Sequence, residues 1–171
     1  LWAGLGLLEM LQEVLNTLWS VPVFRRPPWI LRKLRSLPAA VLVGLCLVLS
    51  GAATWVFDDP GTSSVERVAG YLMPLLAGAF CYLGLHWLLC ARKVPFSSQL
   101  PGAVFVGVAW LVLQLIGTWY INRFVLQSSD TYGIFVVVFG LLSWAYLLGL
   151  LYILGNELAV VLMERCWPRS L

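Results

Sequence analysis

Charge is what this chain has least of. Asp, Glu, Lys and Arg make up 11% of its 171 residues and hydrophobic residues 61%, where soluble domains carry about 25% and about 45–50%. That balance excludes a water-soluble globule. Histidine is scarcer still, with His86 alone. Hydrolysing a phosphodiester usually takes clustered carboxylates or histidines to hold metal ions, or an acid and base pair, and the eight acids here are scattered along the chain. No catalytic residue, metal site or cofactor is expected, and no enzyme. Paired cysteine spacing is also missing: Cys46, Cys81, Cys90 and Cys166 lie in or beside apolar runs, as small buried hydrophobes do. An initial Met is lacking as well. The chain opens on Leu1-Trp2-Ala3 inside an apolar helical pattern, which predicts a cut-down chain or a truncated reading frame. A signal peptide is the poorer account, because Glu9 and Glu13 interrupt the stretch and no basic segment precedes it.

Long apolar runs fill the space that charge vacates. Twenty-one residues from Ile134 to Leu154 carry no charge. At about 1.5 Å per residue they cover the roughly 30 Å hydrocarbon layer of a bilayer, where a helix satisfies its own backbone polar groups. Similar runs predict helices over 1–19, 38–57, 68–91, 101–121 and 132–163. The first sets Leu5, Leu8, Leu11, Leu15 and Leu18 opposite Glu9, Gln12, Glu13 and Asn16, as an amphipathic helix or the second half of a span does. Pro38 and Pro101 fit first turns, Pro74 between Gly70 and Gly78 predicts a kink, and Asp58-Asp59-Pro60-Gly61 marks a turn. The expected fold is all-α: a polytopic transmembrane helical bundle of four full spans plus an N-terminal partial span, in one domain over 1–171.

The charges that do occur are sorted. Arg25, Arg26, Arg32, Lys33 and Arg35 form a basic elbow without an acid, and Arg92, Lys93, Arg165 and Arg169 bring the alternate connections to nine of the eleven cations. The other two loops hold Arg67 and Arg123 with Asp58, Asp59, Glu66 and Asp130. Positive charge accumulates on the cytoplasmic side, so the elbow, the 92–100 loop and the C-terminus are expected there, the elbow against anionic headgroups. Lipid explains these cations without nucleic acid, and a homo-oligomer is allowed.

Within spans, ionisable residues often mark a substrate or ion pathway. Glu157 is the first candidate, with interfacial pairing to an elbow arginine as the plainer alternative. His86 lies at a depth that would let it relay protons with Glu157, although a lone histidine in an apolar helix more often bonds a carbonyl. Asn156 sits beside Glu157, and Gln114, like Asn16, reads first as an inter-helix hydrogen-bond partner. Ala103 with Gly107 and Ala145 with Gly149 are small pairs at helical spacing, for which close packing is the default. Trp29, Trp87 and Trp167 fall at one interface and Trp55, Trp119, Tyr120 and Tyr132 at the other. Trp110, Trp144 and Tyr146 lie deeper, where packing is favoured over a cavity.

Several of these pieces recur together in one known family. Leu15-Asn16 with Trp19 before the elbow, Leu100-Pro101-Gly102-Ala103, Thr131-Tyr132-Gly133, Trp144 with Tyr146, and Leu154-Gly155 with Glu157-Leu158 make the chain resemble the YihY/BrkB bacterial inner-membrane proteins, once labelled ribonuclease BN. The resemblance implies six spans with both ends cytoplasmic, of which this chain lacks the first and part of the second. It brings no established site residues. Family members commonly read Gly-Ala-Glu-Leu-Asn where this chain has Gly155-Asn156-Glu157-Leu158-Ala159, so the amide has moved from after the acid to before it. Glycine and proline interruptions, deep aromatics and the Glu157 carboxylate favour transport of an envelope-related substrate. A structural or accessory membrane protein is the alternative, and the ribonuclease of the old name a distant one.

Overall fold

The structure, a computed structural model, describes residues 2–57, 63–92, 94–120, 123 and 130–164. Five α-helices carry them: α1 Trp2–Leu18, α2 Trp29–Phe57, α3 Ser64–Leu89, α4 Phe96–Tyr120 and α5 Asp130–Glu164. Four apolar stretches, Trp29–Ala53, Val68–Leu89, Phe96–Tyr120 and Val137–Met163, are 22 to 27 residues long, enough to cross the hydrocarbon layer with some tilt. The protein is an all-α helical membrane bundle. Each spanning helix packs on the one before it, and α1 lies on α2 while reaching α3 and α5.

α1 ends in a turn that sets the rest. Ser20 takes a left-handed φ of 52°, letting its N–H donate to the Thr17 carbonyl at 3.0 Å and that of Val21 to the Asn16 carbonyl at 2.8 Å. This pair of bonds is the Schellman closure, which satisfies the last helical carbonyls. Leu15 and Val21, on either side of it, are buried in the same core. The elbow then folds back on α1. Glu13 receives Arg26 at 3.6 Å and Arg32 at 3.2 Å, and the Gln12 amide donates to the Arg32 carbonyl at 3.1 Å.

Two helices begin earlier than their prolines suggest. α2 starts at Trp29 with Pro38 inside it, and α4 at Phe96 with Pro101 inside it. Leu, Arg and Lys before Pro38 are good helix formers, and a proline in a helix removes one backbone bond without having to end it. The basic elbow is therefore partly helical. α3 begins on a capping box: Ser63 N–H donates to Glu66 at 2.8 Å and its hydroxyl accepts from Glu66 N–H at 3.4 Å. The Ser63 backbone N–H, then its hydroxyl, hold the exposed Glu66 carboxyl below its ordinary value. Pro74 is buried inside α3, which continues through it.

Small residues decide where helices meet. A methyl group at Gly107 would strike the Leu75 carbonyl and Ala79 of α3, and one at Gly102 would strike the Gly155 carbonyl and the Tyr82 hydroxyl. The Ala103–Gly107 pair thus packs on α3. The Ala145–Gly149 pair does not pack in this way: Ala145 is exposed and the space beyond Gly149 is open among the described residues. α5 meets its neighbours along Trp144, Tyr152, Gly155 and Ala159, and Ala145 and Gly149 stand off that stripe. The 58–61 turn, Cys166 and Trp167, and the side chains of Trp55 and Tyr132, lie outside the described residues.

Candidate functional site at the joint of three helices

Near the end that carries the elbow, α1, α3 and α5 meet through polar side chains. Tyr82 and His86 on α3 are four residues apart, as are Tyr152 and Asn156 on α5, so each pair shares one helix face. They pair in order. The rings of Tyr82 and Tyr152 are 5.6 Å apart, and His86 Nδ1 lies 3.0 Å from Asn156 Oδ1. The constant offset in numbering means that α3 and α5 run in the same direction here. Tyr82 adds a third link by donating to the Gly155 carbonyl at 3.3 Å, across the contact that Gly102 and Gly155 keep open.

α1 closes the joint from its C-terminal end. The Trp19 indole N–H donates to Asn156 Oδ1 at 3.3 Å, and its ring meets His86 edge-on at 5.2 Å and 76°. Asn16 Oδ1 accepts from the Ala91 N–H at 3.0 Å, and Arg92 donates to the Trp19 carbonyl at 3.2 Å. Asn16, Trp19, Tyr82, His86, Tyr152 and Asn156 are all 4% exposed or less. A cluster of polar groups this buried is costly unless its hydrogen bonds are met.

The bonds also fix the proton on the imidazole. Asn156 Nδ2 donates to the Tyr152 carbonyl at 2.9 Å, which points Oδ1 toward Trp19 and His86. Indole is a donor only, so the orientation assigned from this network is consistent at both ends. A neutral His86 must then donate from Nδ1 and keep Nε2 bare. Nε2, like the Tyr152 hydroxyl, is buried without a hydrogen-bond partner among the described residues.

The structure sorts the residues that the sequence singles out. His86 and Asn156 come together. Glu157 does not join them: it is exposed, because successive helix positions turn by about 100°. The elbow arginines Arg26 and Arg32 pair with Glu13 rather than Glu157. Gln114 belongs elsewhere, donating at 2.7 Å to the Ser50 hydroxyl, which also accepts from Trp110 at 3.1 Å. That α2–α4 node is about 18 Å along α4 from Gly102, at 1.5 Å per residue. Lys33 lies over the Trp29 ring at 5.6 Å and Arg25 over Phe24 at 5.9 Å, while Arg35 is partly buried. Trp29, Trp87, Trp119 and Tyr146 are exposed on the bundle surface, whereas Trp110 is buried and Trp144 packs on Gly117. Among the described residues no three of His, Cys, Asp and Glu group as metal ligands would. Sequence reasoning missed Tyr82 and Tyr152, and took Trp19 only as part of a resemblance. The signal was there in the matching four-residue spacings of Tyr82 with His86 and Tyr152 with Asn156.

Comparison with known proteins extends these observations. The family described as Virulence factor BrkB matches residues 1–170. A UPF0761 membrane protein of Vibrio campbellii is 26% identical over 171 aligned residues, 95% of this chain and 53% of the relative. One of Aliivibrio fischeri is 27% identical over 170, with the same coverage. A Bacillus subtilis protein named as ribonuclease-like, YfkH, is 34% identical over 74 residues, 43% of this chain and 26% of its own length. The chain spans about half the length of the membrane-protein relatives it matches. No solved structure matches.

Proposed function

The chain belongs to the Virulence factor BrkB family of membrane proteins, and from that footing we propose that it translocates an envelope-related substrate across the bacterial inner membrane. The observation that carries the reading is the joint: six polar or aromatic side chains, nearly inaccessible, gathered at one end of the spans. Buried polar groups at membrane depth are costly and mark pathways. Here they form the inner closure, with the elbow and C-terminus on the cytoplasmic side, as the bias of Lys and Arg supports. The substrate class is an amphiphile with an anionic headgroup. Arg25 and Lys33 stand over exposed Phe24 and Trp29, with Arg35 in the same elbow, which suits charged headgroups at an interface, and most of α5 is left uncovered by the described residues.

A second reading has its own support. Every side chain of the Ser50 node and most of the joint bridge two helices, and inter-helix bonds of that kind also serve as static glue. An enzyme finds less support: Glu13 is engaged by two arginines and Glu66 caps α3.

The test uses full-length protein in liposomes with fluorescent phosphatidylglycerol in one leaflet, its exchange read by quenching from outside. Expected are faster exchange than in empty liposomes and a changed rate in Asn156→Leu at equal incorporation. Exchange no faster than in empty liposomes overturns translocation of this class. A variant that merely reaches the membrane in lower amount, with an unaltered rate per molecule, supports glue.

A further inference from the structure

His86 is left with a buried lone pair. Asn156 Oδ1 takes the Trp19 indole N–H and requires a donor at His86 Nδ1, so Nε2 of the neutral ring can only accept. No described group donates to it. With the Tyr152 hydroxyl it is one of two atoms of the joint left unmet among the described residues, and a buried polar atom kept unmet calls for a reason beyond packing.

We propose that His86 Nε2 is a proton-binding site, and that the proton is the coupling ion of the translocation proposed above, on whose correctness the coupling rests. The step is a simple transfer. A solvent hydronium gives its proton to Nε2, water leaves, and the ring becomes an imidazolium with N–H groups at both nitrogens. Asn156 still accepts from Nδ1. Among the described residues the groups shown against the ring, Trp19 on α1 and Asn156 on α5, offer no counter-charge, and neither do Asn16, Tyr82, Tyr152 and Cys90 in the surrounding helices. The nearby cation, Arg92, is tied to the Trp19 carbonyl and repels a second positive charge. The protonated ring therefore stands as an uncompensated charge in the closed joint. Opening of α1 away from α3 and α5 lets water reach it, so proton uptake and release of the closure favour one another.

Full-length protein labelled with ¹⁵N-histidine in lipid nanodiscs tests the site, with His86→Gln assigning the signal. Near pH 8 the neutral ring is expected to carry its proton on Nδ1. On lowering to about pH 4, a window around the ordinary imidazole value of about 6.5, a proton appears on Nε2. Asn156→Leu removes the acceptor and moves the neutral proton to Nε2, a shift that packing alone would not produce. A neutral wild-type ring protonated on Nε2, or an Nε2 that stays bare across the window, overturns the site even if lipid exchange is observed. In the liposome assay, collapsing a pH gradient is expected to change exchange at least tenfold. Exchange indifferent to the gradient overturns the coupling. Titration of Nε2 without any exchange overturns the translocation reading and leaves the proton site standing.

Discussion

α4 and α5 are about equally apolar and are used in opposite ways. Both spans are strongly apolar, yet α4 is buried against the chain over 39% of its most apolar part and α5 over only 6%. α4 carries a continuous buried stripe, Gly102, Ala103, Val106, Gly107, Trp110, Leu113 and Gly117, and sits between α3 and α5. α5 is held at points: Trp144 on Gly117, Gly155 beside Gly102, and the joint at Tyr152 and Asn156. Hydropathy reports that a helix enters lipid. Spacing of small residues reports which face it shares, and on the described part of α5 that sharing is limited to a few points.

The hardest blow to this difference falls where the two helices touch backbone to backbone. Gly102→Ala would drive a methyl group into the Gly155 carbonyl and the Tyr82 hydroxyl, and a carbonyl in a helix has little room to yield. The expected loss is about 2–3 kcal/mol, at the upper end of overpacking, read as a lower midpoint in detergent unfolding. Because Tyr82 also donates to Gly155, the joint should loosen together with the α4–α5 contact. A midpoint unchanged by the methyl group would mean that α5 is held elsewhere.

A smaller effect is expected at the other node. Gln114→Leu removes a donor to Ser50, while Trp110 remains. The loss should be near the bilayer average of about 0.6 kcal/mol for an inter-helix hydrogen bond, measured in the same unfolding series. A value several times larger would make the α2–α4 node, rather than the joint, the polar centre of the bundle.

How far the sequence carries such expectations depends on the kind of signal. Uncharged runs long enough for a bilayer place all four spans, because the requirement to satisfy backbone groups in lipid leaves no other element for a run like Ile134–Leu154. Helix starts are less legible. Pro38 and Pro101 look like first-turn residues, but a helix can run through a proline when the residues before it, Leu34 and Arg35 or Gln99 and Leu100, favour helix and offset one lost bond. At the candidate site, residue type drew attention to Glu157, whereas helical phase decides, and phase gives the buried position to Asn156. The exchange at the Gly155 motif follows the same geometry. Positions 156 and 159 are three apart and both buried, so an amide moved between them stays on one side of α5. Contacts such as Trp19 with Asn156, 137 residues apart, cannot be read from local spacing at all.

The least effect is expected on the side of α5 that touches nothing described. Ala145→Leu replaces a small exposed residue by a larger apolar one, next to open space at Gly149. Facing lipid, the longer side chain should shift the unfolding midpoint by no more than about 0.5 kcal/mol, and the particle mass by light scattering should not change. The pair has the spacing by which helices approach closely, so the same substitution also probes for a second copy of the protein. A loss of a kilocalorie or more accompanied by a fall in particle mass would show that α5 is packed along both faces, and the contrast with α4 would then belong to the isolated chain and not to the assembled protein.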